Sequence, residues 1–100
     1  MNRRILALTA LICSTAVAAP LPYDESADAR ADVRNAIVAA KASQVPVLIV
    51  FGANWCKDCR ALDLALKTPK NAELIAREFK GVKVDVGQFD RNLDLAAAYG

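Results

Sequence analysis

The chain has 100 residues, with 13 basic and 11 acidic side chains, three cysteines and no histidine. That length holds one domain, and 55% hydrophobic residues with only four Gly and four Pro exclude a disordered or collagen-like chain. No apolar run reaches the roughly 18 residues that a membrane-spanning helix needs. Without histidine, Ser-His-Asp catalysis, Cys-His catalysis and His-containing metal sites are all unavailable.

Met1-Asn2-Arg3-Arg4 is a short basic start, and Ile5 to Val17 is an almost unbroken apolar stretch. Ala16-Val17-Ala18 then gives the small-x-small pattern read by signal peptidase. Residues 1–18 therefore read as a cleaved signal peptide, with a buried core helix as the alternative, and residues 19–100 as the domain. Cys13 falls inside the signal. Removing it takes Arg3 and Arg4 but no acid, leaving 82 residues with 11 bases and 11 acids. A neutral domain with no basic, aromatic-interleaved stripe lacks the footprint of a nucleic-acid binder. No membrane span is expected once the signal is gone. Export to the periplasm or the medium is oxidising, so the two remaining cysteines, Cys56 and Cys59, should be paired or redox-active.

The domain alternates helix and strand. Pro20 to Pro22 is a leader, and Asp24 or Ser26 is placed to cap a first helix. Ala29, Val33, Ala36, Ile37 and Ala40 form its apolar face. Val45 to Phe51 is a continuous apolar, β-branched run suited to a parallel strand buried on both faces, with Pro46 tolerated at its start. Gly52-Ala53-Asn54 breaks it. A second helix starts near Cys56 with Cys59, Leu62 and Leu66 on one face, and Thr68-Pro69 interrupts it as a cap and first turn. A third carries Leu74, Ile75 and Phe79 and ends at Gly81, while Asp63, Glu73 and Glu78 read as a solvated face. Val82, Val84 and Val86 alternate with Lys83 and Asp85 in a strand with one drier and one wetter face. Asp90 is placed to cap a last helix with Leu93, Ala96 and Ala97, running to Tyr99-Gly100. The order is α-β-α-α-β-α, with parallel strands joined by a right-handed crossover.

The chemistry sits at Trp55-Cys56-Lys57-Asp58-Cys59, between the carboxyl end of a buried strand and the start of a helix. Open α/β sheets place active sites there, and the unpaired N–H groups and positive dipole end of the helix favour an anion. That anion would be the Cys56 thiolate, favoured there over the free thiol. A two-residue spacing lets Cys56 and Cys59 close a small ring. Cys56 would attack a partner disulfide and Cys59 would resolve the mixed disulfide. Lys57 and Asp58 modulate the site with opposing charges, and Trp55 is an apolar contact surface beside it.

Phe51 to Arg60 resembles the active-site segment of thioredoxin-like proteins, with an aromatic residue, a small stretch and then Trp-Cys-x-x-Cys at a strand–helix junction. It is most similar to exported members, including the C-terminal domain of the bacterial thiol–disulfide interchange reductase. Val82 to Val86 and Leu95 to Gly100 extend the likeness, which covers Val45 to Gly100. The resemblance implies an α/β thioredoxin-like fold, helices around a mainly parallel sheet. It also implies a thiol–disulfide oxidoreductase that exchanges disulfides with protein substrates or a partner oxidoreductase, with no cofactor beyond the dithiol.

Two departures stand out. The family buries an acidic residue six positions before its first cysteine, where this chain has Val50, so a base is absent or comes from elsewhere, such as Asp58 or water. The family's cis-proline loop, closing β-hairpin and last helix have no counterpart in these residues, so an incomplete domain or a borrowed strand is expected. Other readings of the Cys-x-x-Cys pair are a structural disulfide, weakly stabilising because its loop is short, and a thioredoxin-like metal-handling or binding module without redox turnover. Zinc would want four ligands, whereas a soft ion needs only two thiolates.

Overall fold

The computed structural model describes residues 12–14 and 20–100. The signal-peptide reading of residues 1–18 thus lies, apart from residues 12–14, outside the described residues. Six elements follow in the expected order: α1 (Ala29–Ser43), β1 (Val47–Gly52), α2 (Lys57–Leu66), α3 (Pro69–Glu78), β2 (Lys80–Asp85) and α4 (Leu93–Tyr99). β1 and β2 pair in parallel, in register from Val47 opposite Lys80 to Gly52 opposite Asp85. The two strands make a two-stranded sheet among the described residues.

The helix ends differ in detail from the sequence reading. Asp28, not Asp24 or Ser26, caps α1, its carboxylate accepting from the Ala31 N–H at 3.1 Å. Asp24 instead closes a local turn, accepting from the N–H and hydroxyl of Ser26. Thr68 precedes Pro69 at the start of α3, but its hydroxyl turns back and donates to Ala65 O at 2.9 Å, closing the end of α2. Asn92 occupies the N-cap position of α4, and the Asp90 carboxylate accepts from the Gln88 N–H within the preceding loop. β1 starts at Val47 because the Val45 N–H still bonds to Ala40 O, finishing α1. α3 ends at Glu78, and Gly81 lies within β2.

One sheet face carries the core. Ala29 and Val33 of α1 pack with Val84 of β2, and Ile37, Ile49, Phe51, Val82 and Leu95 close around them. α1 has the apolar face expected of it, and Leu95 is α4's contribution to the cluster rather than Leu93, which is exposed. The opposite face is thinner. Leu48 and Val50 line an open cleft of about 370 Å³ with Asp63, Leu66 and Ile75. Leu62 and Leu74, expected in the core, stay exposed at 47% and 45%. β1 is accordingly only half-buried over Val47–Phe51 instead of buried on both faces. Two strands offer too little surface to bury every apolar position of α2 and α3.

Two acids expected to be solvated are buried. Asp85, on the nominally wetter side of β2, is 6% exposed and bonds Arg91 and the Gly87 N–H. Asp63 is 7% exposed, pairs with Lys67 at 2.7 Å and also bonds Lys83 of β2. Burial pushes its carboxyl upward, but the hydrogen bonds from Lys67 and Lys83 outweigh this and hold it below its ordinary range. A lowered folded-state pKa means the unfolded chain takes up the proton first as pH falls. The stabilisation is complete above about pH 5 and is lost on acidification through and below about pH 4. Asp63→Asn should therefore cost about 1–2 kcal/mol at neutral pH. Urea melts from pH 7 to pH 3 should show the gap between variant and parent closing at the acid end. A gap that stays constant with pH would assign the acid sensitivity to another group.

Candidate active site

The site is built where β1 stops. Gly52 is the last strand residue, and Ala53 and Asn54 turn the chain inward, all three buried. The backbone then reaches Cys56, the N-cap of α2. Its Sγ accepts from the Cys59 N–H at 3.1 Å, so a sulfur fills the place usually held by a serine or aspartate oxygen. Cys56 and Cys59 are joined as a disulfide with Cα atoms 5.2 Å apart, within the usual span for such a bridge. On reduction, the Cys56 sulfur would face the same N–H and the positive end of the helix, both of which favour the thiolate.

Trp55 is half-exposed beside the disulfide and held at both ends. Its indole N–H donates to Gly87 O at 2.7 Å, and its ring meets Phe89 edge-on, centroids 5.8 Å apart. With Val86, Leu93 and Ala96 these rings form a shallow apolar cleft of about 260 Å³ that includes both cysteines. Lys57 and Asp58 are exposed on the first turn of α2 and do not line that cleft. The structure thus brings Cys56, Cys59 and Trp55 together and leaves the two charged residues at the rim. Val50 lies opposite Lys83 in the sheet, a valine at the position where the resemblance calls for a buried acid.

Four contributors are invisible to motif reading. Asn54 looked like a simple strand breaker, yet its side-chain oxygen accepts from the Tyr23 N–H and its amide donates to Tyr23 O, both at 2.8 Å. Arg60 donates to the Asn54 carbonyl at 2.8 Å, fixing the turn from the helix side. Tyr23 follows the Pro20 to Pro22 leader and belongs to no motif, yet it is 4% exposed, and its ring edge lies against Gly52. Phe89 stands in the loop after β2. The available signal is weak: Phe89 is a lone large apolar residue in a polar stretch, and Tyr23 stands between an apolar leader and a charged segment.

A chain folded as α/β layers, with a disulfide-forming Cys-x-x-Cys at the N-terminus of the helix that follows a parallel strand, has the architecture of a thioredoxin-type domain. Residues 28–99 match the family model described as Thioredoxin-like, and the chain belongs to that family. It is similar to the crystal structure of a disulphide isomerase from Xylella fastidiosa Temecula1, with 59% sequence identity and a TM-score of 0.80. The match covers 83% of this chain and 63% of that one, so the chain spans under two thirds of that protein's length. No curated protein matches the chain.

The Asn54 clamp has a measurable consequence. Asn54→Ala leaves a buried N–H and a buried C=O of Tyr23 without partners, which should cost about 2–4 kcal/mol. Equilibrium urea denaturation of the oxidised protein measures it. A loss below about 0.5 kcal/mol, the level of an ordinary surface change, would mean that the clamp carries no weight.

Proposed function

We propose that this chain is a thiol–disulfide oxidoreductase that exchanges disulfides with protein substrates or with a partner oxidoreductase. The observation that carries this reading is the Cys56–Cys59 disulfide seated on the first turn of α2, with Cys56 Sγ as the helix cap. The likeness to a disulphide isomerase supports it. In this reading Cys56 is the nucleophile, because it stands at the N-cap of α2 and its thiolate takes the helix dipole. A substrate disulfide opens when the Cys56 thiolate attacks one of its sulfurs, and the electron pair of the broken bond leaves on the other. Cys59 then attacks the Cys56 sulfur of the mixed disulfide. A Cys56–Cys59 bond forms, the bond to the substrate breaks, and the substrate departs with two electrons gained. The cleft walled by Trp55 and Phe89 would receive apolar side chains flanking the substrate cysteine, and Lys57 and Asp58 would modulate charge at its rim.

Cys59→Ser should accumulate mixed disulfides through Cys56, and Cys56→Ser should trap none. Peptide-resolved alkylation of the reduced protein at pH 6–7 should label Cys56 faster than Cys59. The reverse order would exchange the two roles.

The same reading places the protein in the periplasm or outside the cell. The basic start, the apolar run and Ala16-Val17-Ala18 support a signal peptide over residues 1–18. Intact mass of the exported protein should give Ala19 as its first residue. A mature protein that retains Met1 to Ala18 would remove the argument for an oxidising compartment.

A further inference from the structure

The exchange reaction needs the sulfur of Cys59 to be an anion twice: as the group expelled when the disulfide is opened at Cys56, and as the attacker that resolves a mixed disulfide. Cys59 is the third residue of α2, past the helix-capping position that serves Cys56, and β1, Val47–Gly52, carries no polar side chain. The Tyr23 hydroxyl borders the same spot across Gly52. A methyl group built on Gly52 would collide with the Tyr23 hydroxyl and ring, and it would lie 3.0 Å from Cys59 Sγ. The hydroxyl and the sulfur therefore border the same glycine-sized space, and only a glycine at position 52 leaves it open. Asn54 fixes the Tyr23 backbone on both sides, so the ring is delivered to this spot by a buried pair of hydrogen bonds.

We propose that Tyr23 is a positioning residue for Cys59, its hydroxyl donating to the Cys59 sulfur whenever that sulfur carries negative charge. This rests on the thiol–disulfide exchange reading of the site. The surroundings keep the hydroxyl in the donor form. Burial first, then the charges of Asp63 from α2 and Asp85 from β2, push its ionisation above the ordinary tyrosine value. Asp63 is itself bonded to Lys67 and Lys83, and Asp85 to Arg91. A neutral phenol so placed cannot take the Cys59 proton, which leaves to water. It stabilises the anion that remains, lowering the Cys59 pKa and making Cys59 both a better leaving group and a more abundant nucleophile near neutral pH.

Tyr23→Phe keeps the ring and removes only the donor. In the reduced full chain, alkylation against pH, resolved by peptide so that Cys13, Cys56 and Cys59 are read separately, should show Cys59 labelling about three- to tenfold slower at pH 7. Cys56 labelling should stay within twofold. In a preformed mixed disulfide between Cys56 and thionitrobenzoate, release of the coloured thiolate should slow by the same factor at pH 7. It should converge with the parent at pH above the Cys59 pKa, where thiolate no longer limits the rate. Tyr23→Met, which fills the space without a hydroxyl, should behave alike. Identical Cys59 profiles in parent and variants, or a deficit that persists at every pH, would overturn the proposal. A parent mixed disulfide that never releases its thiol would instead overturn the exchange reading, while the labelling profile would still decide the part played by Tyr23.

Discussion

Everything at the site hangs on the two hydrogen bonds between the Asn54 side chain and the backbone of Tyr23. They join residues 31 apart in sequence, in a buried position where an unmade bond is costly. On one side they pin the segment leading into α1, whose Ala29 and Val33 form the core with Val84. On the other they shape the turn that carries the chain from β1 into the cysteines. A small amide thus couples the packing of the first helix to the geometry of the Cys56–Cys59 disulfide, and it sets the Tyr23 ring against Gly52.

From that turn the rest of the site follows by elementary electrostatics. A helix that begins at Cys56 offers its free N–H groups to whatever sits at its cap, and here that is a sulfur. Trp55 is tied to Gly87 and meets Phe89, so the loop after β2 forms the far wall of the cleft. The parallel pairing of β1 and β2 brings both strand ends, Gly52 and Asp85, to the same edge, which is why a loop some 30 residues downstream can face the cysteines. Function-bearing groups gather there because the rigid sheet presents its connecting turns together.

Much of this was legible in the sequence. The six elements, their order and the parallel pairing followed from periodicity, and the motif located the cysteines at the strand–helix junction. Burial was less legible, for a physical reason. Leu62 and Leu74 sit at helical spacing that promises a core, but a two-stranded sheet has little surface to cover them. Asp63 reads as solvated until Lys83 is known to arrive from β2, 20 residues away. Asn54 and Tyr23 are hidden for the same reason: an amide in a turn and an aromatic after a leader gain meaning only through a long-range partner. Local patterns report elements, whereas the polar contacts that join elements are a property of the tertiary fold.

In the exchange reading, Cys56 and Cys59 act as one two-electron couple. Equilibration of the full chain in glutathione buffers, with acid quenching and mass analysis of each cysteine, tests it most directly. Cys56 and Cys59 should pass together between dithiol and intramolecular disulfide, with a tenfold change in their ratio for about every 30 mV. Cys56 held as a stable glutathione adduct while Cys59 remains a free thiol, across the whole range of buffers, would contradict it.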